Sequence, residues 1–269
     1  MNLIRVCRRH PVWFAAGLAT LILGGCVTNE AGRRTLMLIG AGQEMQLGLS
    51  SFTQMKGQVP ISQDRAANEM VRRVGERIKN VVKLPGAQWE FVVFESKEAN
   101  AFCLPGGKIG VYTGILPIVK DDAGLATVLG HEIAHATLHH GAERMSRGLA
   151  VDAFGKGLGV LVDSSKPEYT AAFGNLYGVG TGVLVVLPHS RDQEAEADKM
   201  GLFYMARAGY DPEATVAFWE RFAAYIKQAG GNSTPTWLST HPGGEERIKQ
   251  LKALLPQARA EAQAHSKSQ

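Results

Sequence analysis

The stretch that decides the interpretation of this chain is His131-Glu132-Ile133-Ala134-His135. Residues four apart on a helix project from the same face, so the two histidines can offer two imidazole nitrogens to one cation. Glu132 then lies beside the remaining coordination position. A zinc ion held by two histidines and one carboxylate, with a position left open to water, is typical of a catalytic site. The pattern therefore predicts a zinc-dependent peptidase with one zinc ion.

A second stretch, about sixty residues later, can supply the third ligand. It reads Glu194-Ala195-Glu196-Ala197-Asp198. On a helix Glu194 and Asp198 again lie one turn apart. Glu194 can therefore complete the ligand set, while Asp198 accepts a hydrogen bond from a ligand histidine and fixes its tautomer. The metzincin pattern is excluded, because Leu138 and Gly141 stand where it requires glycine and histidine.

Two further histidines follow the motif. On a continuous helix His139 lies about 12 Å from His131, at 1.5 Å per residue, which is too far to bind the same ion. We interpret His139 and His140 as partly exposed histidines at a helix end, where they favour the helix dipole. A purely structural zinc site is the weaker alternative, since such a site has no use for a base at Glu132.

Residues 1–25 have the composition of a secretory signal peptide. A basic stretch precedes an apolar run of 12 residues, which is short of the roughly 20 that span a bilayer. The run ends at Leu23-Gly24-Gly25-Cys26, which resembles a bacterial lipobox. We therefore expect Cys26 to be lipidated and to anchor the chain in a membrane. Because Val27 follows, we expect the bacterial outer membrane, with the protein facing the periplasm.

Charge and cysteine content exclude some function classes. The net charge of +4 includes three arginines of residues 1–25, and the remainder has 26 basic and 25 acidic residues. No basic patch interleaved with aromatic residues is present, so we expect no nucleic-acid partner. Only three cysteines occur, and Cys103 has no partner once the signal is removed. A disulfide framework is therefore excluded, and Cys103 is expected to be a small buried side chain.

The apolar pattern predicts an α+β fold, mostly helical, with one small β-sheet. Strands are expected at 89–94 and 108–112, with a turn signal at 104–107 between them. Helices are expected after an apolar lead-in at 36–58 and then at 62–82, 121–147, 190–208, 212–225 and 245–255. The Gly-rich segment 149–187 is expected to form a helical hairpin that either gates the site or contacts membrane.

These elements predict four regions along the chain. They are a lipoprotein signal peptide (1–25), a lipidated tether with a lead-in helix (26–58), a zinc metallopeptidase domain (59–256) and a polar, frayed tail (257–269).

Three motifs in order carry a resemblance to a known family. They are the histidine motif above, Ser190 to Asp198, and Thr240 to Ile248 (T-H-P-G-G-E-E-R-I). Together they resemble the HtpX/CAAX-prenyl-protease class of gluzincin metallopeptidases. With the lipobox, the chain is similar in kind to bacterial outer-membrane lipoprotein metalloproteases of the LoiP type.

The resemblance implies roles for single residues. It implies His131, His135 and Glu194 as the metal ligands, Asp198 behind them, and Glu196 as solvated helix surface. Two further roles concern residues of the third motif. His241 would either stabilise the transition state or bind the zinc as an inhibitory fourth ligand, and Arg247 would lie near the substrate carbonyl.

The active-site edge strand of the family corresponds to Asn100, Ala101 and Phe102, where an extended substrate would add a strand. Glu132 is expected to act as the general base. The implied function is hydrolysis of misfolded or misassembled envelope proteins in protein quality control. The alternative is a latent protease that acts mainly as a periplasmic chaperone or assembly factor for outer-membrane proteins.

Overall fold

The computed structural model describes residues 26–156, 189–228, 237, 240–241 and 244–268. The strands are β1 (Cys26–Thr28), β2 (Arg34–Leu36), β3 (Glu90–Phe94), β4 (Ala101–Leu104) and β5 (Lys108–Tyr112). The helices are α1 (Ala41–Gln58), α2 (Arg65–Lys79), α3 (Leu116–Val119), α4 (Asp122–Thr137), α5 (His140–Lys156), α6 (Arg191–Arg207), α7 (Glu213–Gln228) and α8 (Glu245–Ser268). Within these ranges no helix combines the length and the apolarity that crossing a membrane requires.

The mostly helical α+β fold with a small sheet is confirmed. The three-stranded sheet has the order β3-β5-β4, with β3 parallel and β4 antiparallel to β5. The predicted turn joins β4 to β5 through Gly106 and Gly107, both of which have positive φ. Strand β4 therefore lies at an edge of this sheet. The signal peptide and most of the Gly-rich segment fall outside the described residues.

Helix α4 is the centre of the core. Asp121 begins it by accepting a hydrogen bond from the backbone N–H of Gly124 at 2.8 Å, as N-cap residues do. Every residue from Gly124 to Thr137 is buried, because the helix is covered by β4, α2, α6 and α7.

Two glycines allow α4 and α6 to approach closely. A Cβ atom on Gly201 would lie 2.6 Å from the backbone nitrogen of His131, and one on Gly130 would lie 2.6 Å from the carbonyl oxygen of Gly201. Any larger side chain at either position would push the helices apart. The crossing therefore sets the distance between the histidine motif on α4 and the carboxylates on α6.

The sequence predicts one continuous helix from Asp121 to Arg147, but the structure divides this stretch into two helices. The first helix ends at Leu138, and His139 takes a left-handed backbone conformation with φ of 56°. Helix α5 then starts in a new direction at His140. The sequence carries neither glycine nor proline at the break, so the usual signal of a helix end is missing.

The two ends of the described chain are more ordered than the sequence suggested. The expected polar tether contains a two-stranded hairpin, with Cys26 of β1 paired to Leu36 of β2. The expected frayed tail is helical, since α8 continues to Ser268. Arg207 on α6 bonds Glu261 through Nε and Nη2 at 2.9 and 2.6 Å, which holds this last helix to the core. Cys103 is fully buried, as expected.

Candidate metal centre

His131 and His135 lie one turn apart on α4 and are both buried. Their Nε2 atoms face each other at 3.0 Å. This is the arrangement that the four-residue spacing predicts, because both rings leave the helix from the same face.

Glu194 comes to the same point from the first turn of α6. Ser190 caps this helix by accepting a hydrogen bond from the backbone N–H of Gln193, and the Gln193 side chain accepts from the backbone N–H of Ser190. This reciprocal capping box fixes the first turn. Oε1 of Glu194 lies 3.3 Å from Nε2 of His135.

His241 adds a fourth donor to this group. Its Nδ1 lies 2.9 Å from Oε1 of Glu194 and 3.2 Å from Nε2 of His131. The ligand atoms of the four residues, including His135, all lie within 4.8 Å of one another, and all four side chains are buried.

The donor set fits a divalent metal with nitrogen and oxygen ligands. In a tetrahedral zinc site with bonds of about 2.0 Å, neighbouring ligand atoms lie about 3.3 Å apart. The four separations given above range from 2.9 to 3.3 Å. Oε1 of Glu194 is the carboxylate oxygen that faces both His135 and His241.

The protonation states of His135 and Glu194 also suit metal binding. The pKa of His135 lies well below its usual value, mainly because burial disfavours the charged ring. Burial raises the pKa of Glu194, but the nearby His241 and Arg247 reverse this and hold the pKa well below the usual range. A neutral imidazole and an ionised carboxylate are the forms that bind a metal.

Asp198 and Arg247 lie behind the ligands. Oδ1 of Asp198 is 2.9 Å from Nδ1 of His131, the position that the sequence analysis assigned to it. Arg247 donates from Nη2 to Asp198 at 2.6 Å, and its Nη1 lies 2.9 Å from Oε2 of Glu194. The guanidinium also stacks over the ring of Trp219 at 3.7 Å. Arg247 therefore neutralises two carboxylates here, and its contact with a substrate carbonyl stays a prediction.

Glu132 has a partner that the sequence analysis missed. The indole N–H of Trp237 donates to Oε1 of Glu132 at 2.6 Å, and Nε2 of His241 lies 3.5 Å from the same oxygen. The Trp237 side chain is fully buried. Trp237 therefore contacts the candidate base, and His241 contacts both the base and the other three donors.

The model of peptidase family M48 matches residues 65–255 of this chain. The chain belongs to peptidase family M48. The match includes α4 with its two histidines, α6 with Glu194, and His241. The resemblance inferred from the motifs is thereby confirmed, and so is the assignment of the chain as a metallopeptidase.

Curated relatives of this M48 peptidase include metalloendopeptidases from several organisms. The chain is 36% identical over 190 residues to mitochondrial metalloendopeptidase OMA1 of Schizosaccharomyces pombe, covering 70% of this chain and 53% of the relative. It is 33% identical over 241 residues to the mitochondrial metalloendopeptidase OMA1 of Homo sapiens, covering 86% and 46%. It is 29% identical over 230 residues to the β-barrel assembly-enhancing protease of Escherichia coli K12, covering 82% and 45%. The chain spans about half the length of the relatives it matches.

The predicted location at the bacterial outer membrane, facing the periplasm, is wrong. Six relatives at 33–38% identity are named as mitochondrial metalloendopeptidases. The prediction depended on a lipobox-like stretch of four residues. Such a short pattern of small and apolar residues specifies far less than similarity over 168 to 241 residues. Lipidation of Cys26, the first residue of β1, stays a prediction.

A charged cluster that the sequence did not predict lies next to the candidate metal centre. The sequence predicts a partly exposed His140, and the family resemblance implies a solvated Glu196. Instead His140 is fully buried and Glu196 is largely so. Arg33, on the N-terminal hairpin, ion-pairs with Glu196 and with the buried Glu143. The signal in the sequence was weak, because Arg33 is more than 100 residues from either glutamate.

The expected substrate strand is where the motif placed it. Ala101 and Phe102 begin the edge strand β4, and Asn100 precedes it, accepting a hydrogen bond from the backbone N–H of Tyr112 at 3.0 Å. The Phe102 ring lies over Gly110 of β5, where a Cβ atom would be 2.1 Å from the ring. The binding of substrate at this strand stays a prediction.

Proposed function

We propose that this M48 peptidase is a zinc-dependent endopeptidase that hydrolyses unfolded or misassembled proteins. The observation that carries the proposal is the buried group of His131, His135, Glu194 and His241, with Glu132 directly beside it. Two histidine nitrogens and one carboxylate are the ligand set of several catalytic zinc sites. Bound zinc would acidify an attacking water and polarise the scissile carbonyl.

The residues of the chain supply the proton transfers. Glu132 takes the proton of the attacking water and returns it to the leaving amine. An extended substrate would pair with the edge strand β4, which packs against α4. Recognition through backbone hydrogen bonds depends little on side chains, and this suits unfolded segments of varied sequence.

The test is the variant Glu132→Gln, which keeps the size of the side chain and removes the base. It should bind zinc as the wild type does and fail to cleave casein. Glu69→Gln is the matched control, because Glu69 is half exposed on α2. Cleavage at the wild-type rate by zinc-loaded Glu132→Gln protein would exclude Glu132 as the base.

A second candidate function is that of a latent protease that works mainly as a chaperone for unfolded or misassembled proteins. The observation that favours it is the position of Trp237 and His241. His241 completes the donor group and Trp237 hydrogen-bonds the candidate base. Both contacts would have to break before water and substrate could enter.

The variant His241→Ala separates the possible roles of this histidine. We expect casein cleavage to rise, because the fourth donor position becomes open while His131, His135 and Glu194 remain. His265→Ala, near the end of α8, is the control. A loss of cleavage with zinc still bound would instead show that His241 stabilises the transition state.

The chaperone role is tested in cells. If Glu132→Gln restores the phenotype of a strain that lacks the protein, binding is sufficient and hydrolysis is not required. Failure to restore it, with normal protein levels, would favour the peptidase role.

A further inference from the structure

A chain of hydrogen-bonding groups leads away from the metal centre on the side opposite Asp198. Nδ1 of His135 lies 2.8 Å from Nδ1 of His140, and Nε2 of His140 lies 3.0 Å from Oε2 of Glu196. Arg33 then donates to both oxygens of Glu196. The members of the chain come from α4, α5, α6 and the N-terminal hairpin.

The two ends of this chain of hydrogen-bonding groups fix the direction of the hydrogen bonds within it. An ionised carboxylate only accepts, so Nε2 of His140 carries the proton that is donated to Glu196. In the neutral ring, Nδ1 of His140 is then an acceptor, and Nδ1 of His135 must be the donor. The proton-free nitrogen of His135 is therefore Nε2, the atom that faces the four-donor group. This is the tautomer that a metal ligand needs.

We propose that His140 is a positioning residue, held by Glu196 and Arg33, which fixes the ring orientation and the tautomer of His135 as a metal ligand. The proposal depends on the metal site assigned under the proposed function. Hydrogen bonds to the free nitrogen of a ligand histidine orient the ring and raise its basicity. Both ligand histidines then have such a partner, since Asp198 lies against His131.

The break in the motif helix is what makes this contact possible. On a straight helix His140 would lie five residues, or about 7.5 Å along the axis, beyond His135. The left-handed conformation of His139 turns the chain, so that the His140 ring lies 4.9 Å from the His135 ring. A left-handed conformation is uncommon for a residue other than glycine, and here it produces a specific contact.

A second metal site at this place is the competing interpretation. His135, His140 and His189 also have ligand atoms within 4.8 Å of one another. However, this group offers no carboxylate ligand, and its His189 lies beside the Arg144 guanidinium, with Nη1 at 3.0 and 3.3 Å from the two ring nitrogens. The nitrogen of His140 that faces the group is already used by His135. The three histidines are therefore better explained as support for one metal ion.

The test compares zinc affinity among three variants, measured by competition with a chromophoric chelator. His140→Phe removes the hydrogen bonds to His135 and Glu196 and should weaken zinc binding about 10- to 100-fold. His140→Asn keeps an acceptor near the Nδ1 position and should lose less zinc affinity than His140→Phe. Glu196→Gln keeps the shape of the carboxylate and removes its charge, so it should also weaken binding, by less than His140→Phe. His139→Asn is the control, because asparagine tolerates the left-handed conformation.

Cobalt replacement and unfolding of the metal-free protein separate positioning from folding. The visible absorption of bound Co²⁺ should change in His140→Phe and remain unchanged in His139→Asn. Zinc affinity within twofold of the wild type in both His140→Phe and Glu196→Gln would overturn the inference, even if the metal-free variants were less stable. If the wild type itself bound no zinc and cleaved no casein, the proposed function would fail, and the inference with it.

Discussion

Replacing Arg33 tests how the N-terminal hairpin is held to the peptidase core. Nη1 and Nη2 of Arg33 donate to the two oxygens of Glu143 at 2.7 Å each, and Nε donates to Glu196. The Glu143 side chain has no exposed surface, whereas 22% of the Arg33 side chain is exposed. One guanidinium therefore compensates two carboxylates, one of them completely buried.

The variant Arg33→Met retains most of the side-chain length and removes the charge. Removing one partner of a buried ion pair costs about 3–5 kcal/mol. Glu143 keeps the hydrogen bond from Gln193 and a contact with the half-exposed Arg147, so we expect the lower end, about 3 kcal/mol. At about 2–4 °C per kcal/mol for a chain of this size, Tm should fall by about 6–12 °C.

Thermal unfolding of the metal-free protein, followed by circular dichroism, measures this change. Arg34→Met is the control, because Arg34 is the next residue and is exposed at the start of β2. Adding Glu143→Gln to Arg33→Met should recover part of the loss, since no buried charge is then left at position 143. A fall in Tm no larger than that of Arg34→Met would refute the assignment of Arg33 as the compensating charge.

Two other outcomes concern the helix crossing and the response to acid. Gly201→Ala should destabilise the protein by about 1–3 kcal/mol, because the added methyl group overpacks against α4. Gly148 lies in open space on α5, so Gly148→Ala should stabilise the protein by about 0.5–1 kcal/mol. Urea unfolding measures both changes, and equal effects would contradict the close approach of α4 and α6. Burial opposes the charge of Glu143, but hydrogen bonds from Arg33 and Gln193 outweigh it and lower its pKa below 4.5. The resulting stabilisation is complete above about pH 4.5 and is lost as the pH falls through the lowered pKa. The urea midpoint should therefore drop with acid more steeply in the wild type than in Arg33→Met, and parallel curves would contradict this.

The parts of the site that follow from local spacing were accessible from the sequence. His131 and His135 are four residues apart on one helix, so their convergence requires only that the helix forms. The pairing of Glu194 with Asp198 is local in the same way. Strands β3 and β5 were accessible because aromatic and β-branched residues mark them and glycines mark the turn before β5, whereas the edge strand β4 was expected only from the family resemblance.

The parts that depend on the path of the chain between elements were not accessible. A continuous helix from Asp121 to Arg147 was expected, since Leu138 and His139 carry no helix-ending signal. The left-handed conformation of His139 reverses the interpretation of His140. The contact of Arg33 with the core is a matter of tertiary structure across more than 100 residues.

Helix α6 carries four carboxylates at alternate positions, and three of them, Glu194, Glu196 and Asp198, have different tasks in the structure. Glu194 and Asp198 lie one turn apart and face His131 and His135. Glu196 is rotated about 200° from Glu194 around the helix axis, so it cannot reach the same ion and instead meets His140 at the start of α5. The position and rotation of this one helix therefore govern the third donor and the support of both histidines. Because the helix is held so close to α4, a small displacement at the crossing would disturb all three contacts together.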